Sequence, residues 1–220
     1  MRQFSLLFLL FSASSLFGHK DSLRQLHEAA GYFHKIAVLD FHKTDFMKWK
    51  KDIKIYLHSN DDAKNMDTNT AFQADYLALK MELKQIVNEL NELINTINIV
   101  FVDKQEESNM EIFIGSANEC QTLDALTRFT IQKNWAIQHC QVTTDGNEII
   151  QSFVFLDLYR TPNIRMKKTL LRKKITQSLG LFNELEDNKE SIFYAGFSEQ
   201  FEFTNLDKEV IRMLYSTCLK

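Results

Sequence analysis

Residues 164–180 read IRMKKTLLRKKITQSLG, and the way this stretch folds governs how the rest of the chain is arranged. It carries six basic side chains, Arg165, Lys167, Lys168, Arg172, Lys173 and Lys174, and no acid. At 100° per residue, Ile164, Leu171, Ile175 and Leu179 fall on one apolar stripe, while Met166, Leu170 and Gln177 gather on the opposite side with Lys173 at its edge. The spacing predicts a helix running to about Leu179 and covered on two sides. Thr161-Pro162 offers its N-cap and first-turn proline, and Gly180 its C-terminal stop. The basic run reads as a solvated face whose aliphatic stems lie along apolar neighbours.

Upstream, residues 133–142 and 149–158 face each other across Thr143-Thr144-Asp145-Gly146-Asn147, whose Asp-Gly signals a hairpin. Ile99–Val102 and Met110–Ile114 are short apolar runs around a charged loop and read as two more strands. Before them, Phe72, Tyr76, Leu79, Leu83, Ile86, Leu90, Leu93 or Ile94, and Ile97 recur at alternating four- and three-residue steps, which predicts one long helix. Ile53, Ile55 and Leu57 alternate with Lys54 and Tyr56 ahead of the turn-rich Ser59–Asp62, giving a strand that Trp49 leads into. From Ser22 to Val38, the positions Leu23, Leu26, Ala30, Phe33 and Ala37 have helical spacing. Thr204 or Asn205 caps a last helix over Leu206–Tyr215. With no linker and no repeat, the order reads as one α+β domain over residues 19–220: a helical N-terminal part at 20–50 and a core at 51–220.

The chain has 220 residues, 45% hydrophobic and 25% charged, with six Gly and one Pro, which excludes collagen-like, low-complexity and disordered classes. Twenty-six basic residues against 29 acidic give a net charge of −3, so no overall positive field favours nucleic acid as a partner. Arg2, the apolar run Phe4–Phe17 and the polar His19-Lys20-Asp21 match a secretory signal peptide at 1–18, cleaved near Gly18. The run is too short to span a bilayer, so the expected mature protein is secreted or periplasmic and not membrane-spanning. Its charge is −4, because Arg2 leaves and no acid does.

An oxidising compartment would permit a disulfide between Cys120 and Cys140, with Cys218 standing apart. The histidines give no metal-ligating set. His27 and His34 are two turns apart on one face, too far for one ion, and His19, His42, His58 and His139 are scattered. Glu184, Glu186, Asp187 and Glu190 read as solvated charge after the helix. Among the 18 Phe, most read as core; the Phe197–Phe203 segment is broken by Gln and Glu and reads as a loop or short strand with some exposed rings, by simple packing first and as a partner surface in the alternative.

The segments Ile175–Leu181, Ser191–Tyr194, Thr204–Asp207 and Ile211–Tyr215 together resemble the C-terminal order of zincin metallopeptidases. More closely, with the strand Ile112–Gly115 and with Phe153–Arg160, they resemble a bacterial envelope family called domain-of-unknown-function family 2927. The resemblance implies a zincin-like fold: a mixed, twisted sheet, a long helix and an active-site helix. In a zincin, HExxH sets two imidazoles one turn apart to bind Zn²⁺, with the Glu as general base and a third ligand beyond a glycine turn. Carried over by position, the first His falls on Lys173, the Glu on Lys174, the second His on Gln177, the third ligand on Asn183 and the methionine of the underlying turn on Phe193.

Protonated Lys has no lone pair, and the amides of Gln and Asn are weak donors for zinc. The resemblance thus implies the fold with a degenerate HExxH: no catalytic residue, no metal and no cofactor. The two cations at Lys173 and Lys174 are expected to meet an acidic partner or a buried carboxylate such as Asp157. The resulting expectation is a secreted pseudo-metallopeptidase that binds an unknown protein or peptide, or serves as a structural envelope component. Two alternatives stand beside it. One is an active hydrolase with an atypical metal site or a metal-free mechanism, and the other is an interaction module using the first and long helices.

Overall fold

The computed structural model describes residues 27–37, 46–58, 70–116, 120, 138–196, 198 and 200–216. The signal peptide at 1–18, His19, His42, the loop Ser59–Asp62, residues 133–137 of the hairpin, Phe197 and Cys218 lie outside them. Helix α1 covers 27–37. It is followed by β1 (Ile53–Leu57), α2 (Thr70–Leu93), β2 (Ile99–Phe101), β3 (Met110–Gly115), β4 (Gln138–Asp145), β5 (Glu148–Asp157), α3 (Ile164–Gln177) and α4 (Asn205–Leu214). A 3₁₀ turn, Gln105–Glu107, joins β2 to β3.

The architecture is α+β, with one mixed five-stranded sheet in the order β2-β1-β3-β5-β4. β2, β1, β3 and β5 run parallel, and β4 pairs antiparallel with β5 at the end of the sheet. Parallel strands need crossovers, and α2 supplies the one between β1 and β2. One face of the sheet, with Ile53, Ile55, Met110, Ile112, Ile114, Val154 and Leu156, packs into a single core with Leu79, Leu83, Ile86 and Leu90 of α2 and Leu171 and Ile175 of α3. Phe33, Ile36 and Ala37 of α1 join the same core. The register sets Glu111 opposite Phe153 and Phe113 opposite Phe155 on the other face, and all four are buried. Burial on both faces is what a parallel sheet demands, and it explains why β3 is buried from end to end.

Several local expectations are corrected. The long helix stops at Leu93 instead of Ile97. Ile94 and Ile97 are still buried, but the chain must turn there to start β2, and Asn91 fixes the turn by bonding both backbone groups of Ile99. The hairpin turn is tighter than the five residues expected. Thr143 to Asp145 remain in β4 with an irregularity at Thr143/Thr144, and Gly146, with φ 58°, opens the loop before Asn147. Glycine at the first central position is the requirement of a two-residue II′ hairpin. The N-cap of α3 is Asn163, whose side chain accepts from the Met166 N–H, whereas the Thr161 hydroxyl donates to the Asp157 carbonyl. On α1 the buried face is Ala29, Phe33, Ile36 and Ala37, and Ala30 is exposed.

The stop after α3 is as expected, and tightly built. Gly180 has φ 115°, and a Cβ there would lie 2.0 Å from the Met47 carbonyl oxygen. Trp49 Nε1 donates to the Ser178 carbonyl at 2.8 Å and Tyr215 Oη to the Leu179 carbonyl at 2.9 Å, satisfying groups that a helix end leaves open. Thr204 caps α4 in a reciprocal box with Asp207. Among the described residues no helix is long and apolar enough to cross a membrane.

Candidate functional site

The basic helix α3 is buried rather than solvated. Lys167, Arg172 and Lys173 are each under 10% exposed. What compensates Lys167 and Arg172 is a stripe of acids on α2 at seven-residue spacing, Asp75, Glu82 and Glu89, which two turns of helix bring to one face. Lys167 Nζ lies 2.5 Å from Asp75, Lys168 Nζ 3.1 Å from Glu82, and Arg172 bonds both Glu82, at 2.8 Å, and Glu89. The Arg172 guanidinium also lies 4.5 Å from the Phe203 ring centroid, which places that ring in the core and not on an exposed surface. Phe201 is half-buried beneath Arg165. Excellent pairing is the condition under which buried ions are tolerated, and here it locks α2 to α3.

At its C-terminal half α3 turns towards the loop after it. Lys173 Nζ donates to the Tyr194 carbonyl at 2.6 Å and pairs with Glu184 Oε1 at 2.8 Å. Lys174 Nζ donates to Gln177 Oε1 at 2.6 Å. Gln177 Nε2 in turn reaches the Phe182 carbonyl at 3.2 Å and Glu184 Oε1 at 3.4 Å. Three of the five positions singled out in the sequence, Lys173, Lys174 and Gln177, thus converge, and Glu184 ties them together. Asn183 does not join them: its Nδ2 donates to the Lys35 carbonyl and its backbone N–H to the Ile36 carbonyl, holding the loop to the end of α1. Phe193 is buried in the core, one residue before the carbonyl that receives Lys173.

The carboxylate that answers the two cations is Glu184, not Asp157. Asp157 instead accepts from the backbone N–H groups of Tyr159 and Arg160 and pairs with the Arg160 guanidinium at 3.5 Å. Of the four acids after the helix, Glu184 is thus engaged by α3, while Asp187 is exposed and bonds Lys35 at 2.9 Å on the surface. Burial, with Lys173 adding to it, holds the Lys174 ammonium below the usual lysine range, against opposing pulls from Cys140 and Glu184. On the facing edge strand β4, burial and the Lys174 charge hold His139 low, and burial pushes the Cys140 thiol up to about 12. Cys140 and Cys120 are both thiols, without the bridge that an oxidising compartment would permit. Cys140 instead lies on β4 opposite Val154, packed against the core beside Lys174 and Ser152.

These residues do not fit a zinc ion. The α3 face offers two ammonium groups and an amide already engaged on both its ends, and among the described residues no three His, Cys, Asp or Glu converge as metal ligands. His27 and His34 are exposed on α1. His58, one of the scattered histidines, is 2% exposed and bonded through Nε2 to the equally buried Glu111 at 2.9 Å, with Gln105 donating to the same carboxylate oxygen. The only sequence signal for it is a His ending one strand and a Glu inside an apolar neighbour.

A family model described as Protein of unknown function (DUF2927) matches residues 27–220. The chain belongs to that family. No curated protein matches it.

Proposed function

We propose, from that membership and from the geometry of α3, that the protein is a secreted, zincin-like pseudo-metallopeptidase that acts by binding, or as a structural envelope component, and not by catalysis. The observation that carries this reading is the ion cluster of Lys173, Lys174, Gln177 and Glu184 on the face where a zincin holds its metal. Three features support the scaffold assignment. α3 carries its key residues at 173, 174 and 177 and ends at a positive-φ glycine, Gly180, where the zincin pattern has one. An antiparallel edge strand, β4, packs beside α3. The Phe193-Tyr194 segment runs under Lys173. Secretion rests on Arg2 and the apolar run Phe4–Phe17.

The test is to restore ligands. Glu184 lies within reach of both Lys173 and Gln177, so Lys173→His with Gln177→His creates a His₂Glu set of the catalytic-zinc type. The scaffold reading expects the double variant to bind about one Zn²⁺ per chain with His-dependent affinity, lost again on Glu184→Ala. A folded double variant with no gain in zinc affinity refutes the positional match to zincins.

A second reading, a metal-free hydrolase, draws on one observation: burial lowers the Lys174 pKa, as an amine base requires. It expects hydrolytic turnover that vanishes in Lys174→Met. Turnover unchanged in that variant removes the reading.

A further inference from the structure

At the opposite end of the sheet from α3, a groove of about 540 Å³ opens between β2 and α2, lined by Tyr56, Tyr76, Lys80, Lys84, Phe101 and Asp103 among others. Its volume falls in the range of ordinary ligand clefts. Lys80 and Lys84 set it apart. Lys167, Lys168, Arg172 and Lys173 all have carboxylate partners, whereas Lys80 and Lys84, exposed one turn apart on α2, have none among the described residues.

Phe101, one of the lining residues, belongs to β2, the edge strand of the sheet. Asn98 accepts from β1 through its carbonyl and Val102 donates to β1 through its N–H, so the even-numbered residues of β2 face β1. By strand alternation the odd-numbered residues face away. Ile99 does so, and its two outward groups are taken by the Asn91 side chain, which stands in for a neighbouring strand. The outward N–H and C=O of Phe101 have no such partner among the described residues. The two elements that border the groove also carry exposed apolar side chains: Val100 is 44% exposed and Phe101 41% on β2, and Leu77 and Met81 are exposed on α2. An open edge of this kind is a template for an added strand.

We propose that this groove receives an extended peptide segment of a partner protein, paired to the Phe101 backbone and held by carboxylates on Lys80 and Lys84. Spacing specifies the motif. Two lysines four residues apart on a helix are separated by a rise of about 6 Å, and side chains at i and i+2 of an extended chain by about 6.6 Å. The segment therefore carries acidic side chains at alternate positions, with an apolar residue for the Tyr76 and Phe101 rings. Asp103, the one acid among the lining residues, opposes such a ligand and limits its affinity. The inference does not rest on the α3 reading, because the two regions share no residue.

The test is to pan a display library of random heptapeptides against the purified full chain, counter-selecting on Lys80→Glu/Lys84→Glu. Acidic-x-acidic sequences are expected to enrich. A synthetic peptide of the enriched sequence should bind at least tenfold more weakly to the double variant and several-fold more tightly to Asp103→Asn, and should weaken on N-methylation of its central amide. Lys80→Gln/Lys84→Gln serves in its place if charge reversal impairs folding, which a circular dichroism melt reports. The proposal is overturned if no sequence enriches over the variant, if basic or neutral sequences enrich, or if N-methylation has no effect. It is also overturned if phenylacetate alone binds as tightly as the peptide, which would make the occupant a small anion.

Discussion

Glu184 Oε1 stands 2.8 Å from the Nζ of Lys173, and this pair ties the C-terminal half of α3 to the loop that follows it. Lys173 is almost fully buried, so the carboxylate is what allows a cation to remain there. Glu184→Gln is expected to lower stability by about 2–3 kcal/mol, somewhat below the usual loss for breaking a buried pair because Glu184 is itself a third exposed. Urea unfolding measures it. A change within about 0.5 kcal/mol, the range of ordinary surface substitutions, would mean that the pair does not hold the site together.

The Lys174 ammonium is lowered by burial, so between its folded pKa and 10.5 the unfolded chain binds more protons than the native one. Stability therefore gains a positive slope with pH across that window, and none below it, where both states are protonated. Lys174→Met removes this contribution. The stability difference between variant and wild type is expected to shift in favour of wild type as pH rises towards 10.5, followed by denaturant titrations at several pH values. A difference flat with pH would place Lys174 in water.

Arg172 is fully buried between Glu82 and Glu89. Arg172→Met leaves Glu82 buried with only Lys168, itself a third exposed, and is expected to cost about 3 kcal/mol. Adding Glu82→Leu should recover at least half of that, because an apolar pair of similar volume does not require the desolvation of charge. Chemical denaturation of the two variants decides it, and additive losses would contradict a direct coupling.

Gly180→Ala combines a disfavoured φ of 115° with a Cβ 2.0 Å from the Met47 carbonyl. A loss of about 3 kcal/mol or more is expected in thermal unfolding, beyond the strain of the backbone conformation alone. A loss under about 1 kcal/mol would show that the Met47 segment gives way freely.

Much of the fold was legible in local pattern. The periodicity from Phe72 to Leu90, the Gly146 turn, the Gly180 stop and the Thr204 cap are each set by residues close in sequence. What was not legible is long-range charge. The run from Arg165 to Lys174 carries no acid of its own, so it read as a solvated face, while its partners Asp75, Glu82 and Glu89 lie more than 80 residues away. Their seven-residue spacing was the available signal, and it was hidden beside the stronger apolar stripe of the same helix. Sequence distance also hid the His58–Glu111 pair, whereas Glu184, close to Lys173 in sequence, read as one of four loop acids because nothing local marks which of them turns back to the helix. Lys173, Lys174 and Gln177 were singled out by their positions in the zincin pattern that the resemblance implies, and one helix does hold them close, but Asn183 turned to α1 instead.

Metal content measured by mass spectrometry, on protein spanning residues 19–220 purified without chelator or metal-affinity tag and then offered excess Zn²⁺, tests the central claim most directly. The account predicts substoichiometric metal both before and after zinc is added. One tightly held ion per chain would contradict it, because the Lys173, Lys174, Gln177 and Glu184 cluster leaves no lone-pair set on that face to hold one.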